Sequence, residues 1–229
     1  MIEPEMPVAE ISRRVLDRQI VILKSAFPAA KLLGFRATIS EWASSAPLSP
    51  HGKALQDIGP KENTHRIDDD PSRSATPHIY HTFNFNDFTT LPSGLQKLCK
   101  DVFEPMRVLQ NQLTGNSAEF SSHHDQFRLR PQVMQYPTGD GFIAKHRHAL
   151  LPQKIGLILN LSRRGFDYTC GGTSFELPGG TVDIEQGHDL GDIALFRCDL
   201  DHYVTPVEPA SAREWELTRG RWVAVLAYY

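Results

Sequence analysis

The fold is decided by the short runs FRLRPQVMQY (127–136), KIGLILNL (154–161), GTSFEL (172–177), TVDI (181–184), DIALF (192–196), HYVTPV (202–207) and RWVAVLAYY (221–229). Each run is rich in β-branched, aromatic or other apolar residues, and turns that contain Gly, Pro, Asp or Arg separate it from the next. Short strands at such regular spacing are typical of a sandwich or a jelly roll. The pattern therefore predicts a mainly β jelly-roll core at residues 126–229.

The first half of the chain shows helical periodicity instead. Apolar residues recur at roughly helical spacing over residues 8–27. A longer apolar stripe covers residues 91–113, and Gly115 follows it as a stop signal. We therefore expect two helices in this half of the chain.

Residues 34–87 contain several prolines and an acidic cluster. This composition predicts a long loop that wraps the core or covers a pocket as a lid. The segment HIYHTFNFNDF (78–88) alternates aromatic and polar residues as a strand does. We expect one domain over residues 1–229, in which a helical and loop layer (1–125) packs on the outer face of the β core.

Charge and composition narrow the possible partners. The net charge of the 229-residue chain is −3, which argues against a general nucleic-acid binder because such proteins need a basic face. No apolar run approaches the ~20 residues that span a bilayer, and the acidic N-terminus lacks a secretory apolar segment. Three widely spaced cysteines predict neither a disulfide framework nor a zinc knuckle. We expect a cytoplasmic protein with a small-molecule partner, no nucleic acid and no membrane; no feature indicates an oligomeric state.

Three histidines of the β region have the spacing of a metal site. Residues two apart in a strand point to the same face, so His146 and His148 can both face the interior. His202, at the end of a distant strand, can complete one face of a metal ion. Three ligands on one face leave the opposite positions open for substrate and dioxygen, as in non-haem iron oxygenases. Arg221 could hold a carboxylate through two parallel hydrogen bonds.

The chain from Tyr136 to Tyr229 resembles the 2-oxoglutarate- and iron(II)-dependent dioxygenase superfamily, most of all its prolyl-hydroxylase-like branch. The matching positions, in order, are Tyr136, His146, Leu159–Asn160, Gly171–Gly172, Gly191–Asp192, Leu195–Phe196, His202, Pro206–Val207 and Gly220–Arg221. No single piece is specific, but the ordered set is. The first half of the chain has no such counterpart.

This resemblance implies a double-stranded β-helix that uses Fe(II), 2-oxoglutarate as co-substrate and dioxygen. His146 and His202 would be the catalytic metal ligands. Arg221 would hold the far carboxylate of 2-oxoglutarate, and Tyr136 is a second candidate contact. Gln132 and Met134 share the strand parity of Tyr136 and would line the pocket. The implied reaction is hydroxylation or another oxidation of a C–H bond in a small molecule, amino-acid derivatives included, with a peptide substrate still open.

His148 departs from the family pattern, which has a carboxylate at this position. Three interpretations stay open. His148 could be a third metal ligand, also compatible with a three-histidine dioxygenase that does not use 2-oxoglutarate. It could swing aside and leave a vacant position, or the site could be inactive and the protein a jelly-roll binding module.

The remaining histidines carry weaker signals. The segment His123–Asp125 reads as His-x-Asp, but it precedes the strand that ends in Tyr136, where the family has no ligand. We interpret it as a polar loop or strand edge. His78, His81 and His188 are interpreted as structural or exposed.

Overall fold

The computed structural model describes residues 6–49, 62–120 and 128–228. The helices in these ranges are α1 (Val8–Leu16), α2 (Ala29–Ser45) and α3 (Ser93–Thr114). The strands are β1 (Val21–Leu23), β2 (Thr64–Asp68), β3 (His78–Asn84), β4 (Leu129–Tyr136), β5 (Gly141–His146), β6 (Ile155–Asn160), β7 (Gly172–Leu177), β8 (Gly180–Asp183), β9 (Ile193–Arg197), β10 (His202–Val207) and β11 (Arg221–Tyr228).

The strands form one curled antiparallel sheet. Its order is β1-β9-β6-β11-β4-β3-β5-β10-β7-β8, with β2 added on β3. Strand β3 joins the two layers, because residues 81–84 pair with β4 whereas residues 78–79 pair with β5. The sheet thereby folds over on itself, and the predicted jelly roll with helices on its outer face is confirmed. Every β-rich run of the second half forms a strand, and β5 adds one that those runs did not include.

Alternate residues of the central strands face two different cores. On β11, Trp222 and Leu226 pack in the core that includes the helices, whereas Val223 faces the interior of the roll. Strands β6 and β9 alternate in the same way, because successive side chains of a strand point to opposite faces. The helices supply Phe35 and Phe103, whose ring centroids lie 5.9 Å apart in an edge-to-face contact. None of the described helices is long and apolar enough to cross a membrane.

The helix predicted over residues 8–27 is shorter than expected. It ends at Leu16, and Arg18 follows with a φ of 68°, in the left-handed region that interrupts a helix. Residues 21–23 then form β1, which pairs with β9. The β-branched side chains of Val21 and Ile22 favour this extended conformation, so the prediction is wrong beyond Leu16.

The long loop predicted over residues 34–87 is also wrong where the structure has most of α2 and strand β2. The strand predicted over residues 78–88 is confirmed from His78 to Asn84 as β3, which pairs with β2. The first 125 residues therefore contribute strands to the sheet as well as an outer helical layer. Residues 50–61, which belong to the expected lid, lie outside the described residues. The single-domain organisation stays a prediction.

Candidate metal centre

Two neighbouring strands carry the principal histidines. Strand β5 ends at His146 and β10 begins at His202, and the two residues are direct partners in the antiparallel register. Directly opposed side chains lie on the same face of a sheet, and the two ring centroids are 4.3 Å apart. His148 lies two residues beyond β5, where its backbone N–H donates to the carbonyl of Cys198 at 3.0 Å. This hydrogen bond holds the segment beside the end of β9.

The three imidazoles form one cluster. One potential ligand atom from each of His146, His148 and His202 lies within 4.8 Å of the other two. Histidine–metal bonds are about 2 Å long, so two ligand atoms on one ion are at most about 4 Å apart. A small inward movement of the rings therefore lets all three bind one cation. Imidazole nitrogen is a good ligand for iron, so the donor set fits the metal that the sequence resemblance implied.

Backbone carbonyls set the tautomers of two of these histidines. Nδ1 of His146 lies 2.9 Å from the carbonyl oxygen of Ala144, and Nδ1 of His202 lies 2.9 Å from that of Leu200. A carbonyl oxygen only accepts, so both Nδ1 atoms carry the proton and both Nε2 atoms keep a lone pair for a metal. Burial lowers the pKa of His146, and it lowers the pKa of His202 to about 3. Both imidazoles are therefore neutral at physiological pH.

His148 is held less firmly than the other two. It is exposed, and its ring makes no hydrogen bond with the described residues. Its ring centroid nevertheless lies 5.2 Å from that of His146 and 5.3 Å from that of His202. This position favours the third-ligand interpretation over one in which the side chain turns away, and the role of His148 stays a prediction.

The histidine cluster lines a cavity of about 300 Å³ inside the roll. Part of its wall is polar and includes Thr82, Asn84 and Gln132. Nε2 of Gln132 donates to Oδ1 of Asn84 at 2.7 Å, which fixes both amides. Another part of the wall is apolar and includes Phe196 and Val223. The cavity therefore offers a polar side and an apolar side to a small molecule.

Arg221 and Tyr136 line the same cavity. Arg221 begins β11 and is the direct partner of Tyr136 on β4. The guanidinium carbon lies 5.7 Å from the centroid of the tyrosine ring. Burial raises the pKa of Tyr136 to about 12, so its hydroxyl keeps its proton. Gln132 and Met134 also line the cavity, as their strand parity predicted.

Glu185 is a charged residue of this region that the sequence did not predict. It follows β8, and its Oε1 lies 2.6 Å from Nη2 of Arg221, with both side chains inaccessible to solvent. The same oxygen accepts from the backbone N–H of Thr173 at 2.8 Å. No motif marks Glu185, because it lies 36 residues from Arg221 along the chain. Only the folding of the roll brings the two together.

The other histidines occupy several environments. His81 and His188 are buried in hydrogen-bonded positions, in agreement with a structural interpretation. His78 is also buried, but it lines the cavity and stacks on Tyr80 with ring centroids 4.1 Å apart. The interpretation of His78 as structural or exposed did not include this place in the cavity wall. The segment His123–Asp125 lies outside the described residues.

The sequence itself matches no family model and no curated protein. Solved structures do match. A prolyl-4-hydroxylase from Pseudomonas putida superimposes with a TM-score of 0.59 at 13% identity, over 96% of this chain and 97% of that chain. A 2OG-Fe(II) oxygenase family oxidoreductase from Burkholderia pseudomallei gives a TM-score of 0.54 at 15% identity, over 98% of this chain and 91% of that one.

A third similar structure is that of an epimerase. The non-haem alpha-ketoglutarate-dependent epimerase SnoN from nogalamycin biosynthesis gives a TM-score of 0.59 at 11% identity, over 97% of this chain and 82% of that one. Such identities carry the fold and not the reaction. The resemblance found in the sequence is thus confirmed in the architecture: the chain has the fold of the 2-oxoglutarate- and iron(II)-dependent oxygenases.

Proposed function

We propose that this chain is an iron(II)- and 2-oxoglutarate-dependent oxygenase that hydroxylates or otherwise oxidises a C–H bond of a small molecule in the cytoplasm. One observation carries the proposal. Three imidazoles from His146, His148 and His202 face a cavity that Arg221 also lines. A metal-ligand cluster and a buried guanidinium in one cavity are what 2-oxoglutarate requires as a co-substrate, since its 2-oxo acid end binds the metal and its far carboxylate needs a cation or donor.

The protein's part in the reaction is to bind and orient. His146 and His202 would hold the metal through Nε2, with His148 as the third ligand. When bound, iron and 2-oxoglutarate together activate dioxygen for oxidation of the substrate, with succinate and carbon dioxide as by-products. Three neutral imidazoles leave the charge of the metal ion uncompensated, so the site favours an anionic co-ligand.

Residues away from the metal would orient the two organic molecules. Arg221 would donate to the far carboxylate of the co-substrate, and the protonated hydroxyl of Tyr136 is a second donor within the same cavity. The amides of Asn84 and Gln132 would contact polar groups of the substrate. A cavity of about 300 Å³ suits a small molecule better than a folded partner.

The test is spectroscopic and needs no knowledge of the substrate. Anaerobic addition of 2-oxoglutarate to the iron(II)-loaded protein should produce a visible metal-to-ligand charge-transfer band. His202→Ala should abolish the band, and the exposed neighbour variant Arg147→Ala should keep it. Succinate release with candidate substrates then identifies turnover. A protein that binds no iron and gives no band would instead be a jelly-roll binding module.

A second candidate function is a three-histidine dioxygenase that does not use 2-oxoglutarate. The observation that favours it is the ion pair of Arg221 with Glu185, because the guanidinium already has a carboxylate partner. The two candidates differ in their co-substrate requirement. Oxygen consumption by the iron-loaded protein with a substrate and without 2-oxoglutarate would support the second candidate and contradict the first.

A further inference from the structure

The buried guanidinium of Arg221 has only part of its donor capacity left. Nε and Nη2 both donate to Oε1 of Glu185, at 2.9 and 2.6 Å. Nη2 also donates to the hydroxyl oxygen of Thr173 at 2.6 Å. Arg221 lines the cavity, and Nη1 is its one guanidinium nitrogen without a hydrogen-bond partner among the residues that the structure describes.

Glu185 is fixed in place on both of its oxygens. Besides Arg221, Oε1 accepts from the backbone N–H of Thr173 at 2.8 Å. Oε2 accepts from the hydroxyl of Tyr168, which is itself buried. Gly172 leaves the space that the carboxylate chain fills, because a Cβ at this position would lie 1.7 Å from Cγ of Glu185. These contacts hold the carboxylate of Glu185 against the guanidinium of Arg221.

The pair carries no net charge. Burial opposes ionisation of Glu185, but the attraction of Arg221 and the hydrogen bonds outweigh it and keep the pKa of the carboxyl below its usual value. Burial likewise opposes the charge of Arg221, and Glu185 raises the pKa of the guanidinium above its usual value. Both partners stay ionised, so a ligand meets a neutral pair rather than an isolated cation.

We propose that Glu185 is a positioning residue that aims Arg221 and cancels its charge, so that Arg221 gives the far carboxylate of 2-oxoglutarate a single hydrogen bond, from Nη1. This inference rests on the proposed function. It identifies the co-substrate class as 2-oxo acids in general, with weak selection for a charged tail. If no glutamate were paired with the guanidinium, Arg221 would instead bind the far carboxylate of 2-oxoglutarate through two hydrogen bonds. It would then select strongly for a co-substrate with that carboxylate.

The first test uses the unaltered protein. Calorimetry of the Mn²⁺-loaded protein would measure the dissociation constants of 2-oxoglutarate and of 2-oxopentanoate, which lacks the far carboxylate. One hydrogen bond from a charge-neutralised arginine, with at most a second from the neutral hydroxyl of Tyr136, predicts that 2-oxoglutarate binds about ten- to a hundredfold more tightly. A preference of several hundredfold or more would overturn the proposal. Binding of neither acid would contradict the proposed function and this inference together.

The second test removes the resident charge. Glu185→Gln keeps the size of the side chain but leaves Arg221 without a counter-charge, which the far carboxylate of 2-oxoglutarate would then supply. The preference for 2-oxoglutarate over 2-oxopentanoate should rise by at least about tenfold. Glu176→Gln is the matched control, because Glu176 makes a partly exposed ion pair with Lys145 at 3.0 Å. The preference of this variant for 2-oxoglutarate over 2-oxopentanoate should equal that of the wild type.

The ratio of the dissociation constants of the two acids distinguishes a positioning role of Glu185 from a purely structural one. If Glu185 only stabilised the fold, Glu185→Gln would change the affinity for both acids alike and leave their ratio unaltered, and that result would overturn the proposal without touching the proposed function. The wild-type comparison decides the matter even if Glu185→Gln does not fold.

Discussion

His148 would decide the charge of the proposed metal site, because it stands where the family that the sequence resembles has a carboxylate. Its ring lies in the cluster with His146 and His202, yet no hydrogen bond with the described residues orients it. A neutral imidazole at this position raises the net charge of a bound metal site by one relative to a carboxylate. The identity of this one side chain therefore bears on both metal affinity and co-substrate charge.

The role of His148 can be measured by metal binding. His148→Ala should weaken Mn²⁺ binding by at least about tenfold. Removing a residue that only orients a metal ligand already lowers metal affinity by that factor, and His148 is proposed to be a ligand itself. His148→Asp, which restores a carboxylate, should bind Mn²⁺ at least as tightly as the wild type. Calorimetric titration measures all three proteins.

Arg147→Ala is the control for this comparison, since Arg147 is exposed and its nearest carboxylate, Asp201, lies 4.0 Å away. Its Mn²⁺ affinity should equal that of the wild type. An affinity of His148→Ala that also equals the wild type would contradict a ligand role and favour a vacant coordination position.

At the scale of elements, sequence periodicity predicted the structure wherever one face of an element is uniformly apolar. The stripe of α3 is such a case, and its helix begins and ends within two residues of the predicted bounds. Helix α2 was missed although Leu32, Phe35 and Ile39 have helical spacing, because the buried Arg36 interrupts the stripe. Arg36 is stabilised by an ion pair with Asp167 at 2.9 Å, a contact that local sequence does not reveal.

The start of β7 packs closely against the segment after β8 because Gly172 has no side chain. Gly172 has a φ of 148°, and a Cβ there would collide with the fixed side chain of Glu185. Gly172→Ala should therefore lower the free energy of unfolding by roughly 2–4 kcal/mol, since it adds both backbone strain and overpacking. Urea denaturation measures this change.

Gly179→Ala provides the matched control for that measurement. Gly179 lies in the turn between β7 and β8, and an added Cβ would meet nothing within 4 Å. Its stability should stay within about 0.5 kcal/mol of the wild type. Equal stability of the two variants would contradict the tight packing of Glu185 against β7.

At the scale of the whole molecule, the sequence predicted the candidate site better than the chain path around it. His146, His202 and Arg221 belong to an ordered set of positions, so their convergence could be expected from the resemblance. Glu185 could not, because its partner is distant in sequence and its own segment has no recognisable pattern. The polar wall near Asn84 was missed for a related reason: β3 comes from the half of the chain in which the sequence shows no resemblance to a known family.

Buried neutral histidines should make the fold sensitive to acid. Nε2 of His65 donates to the carbonyl of Ala46, so Nδ1 of His65 accepts from Nε2 of His81 at 2.9 Å. Burial, followed by the neighbouring His65, lowers the pKa of His81 to about 3. The unfolded chain binds a proton near pH 6.5, so this contribution to stability is complete above about pH 6.5 and is lost as the pH falls towards 3.

The resulting pH dependence is measurable in the metal-free protein. Between about pH 6 and pH 4, His81 should contribute roughly 1 kcal/mol of lost stability per pH unit. His81→Gln keeps a donor for His65 but does not titrate. As the pH falls, the unfolding free energy of this variant should therefore decrease by about 1 kcal/mol less per pH unit than that of the wild type. Identical slopes for the variant and the wild type would show that His81 is not held neutral by the fold.

The most direct test of the proposed metal centre is a crystal structure of the protein with Mn²⁺ in place of iron, with anomalous diffraction data collected near the manganese absorption edge. We expect one anomalous peak inside the roll, about 2 Å from Nε2 of both His146 and His202, with His148 as the third protein ligand. A crystal grown with excess Mn²⁺ that shows no peak between these imidazoles, or a peak bound by other residues, would contradict the proposal.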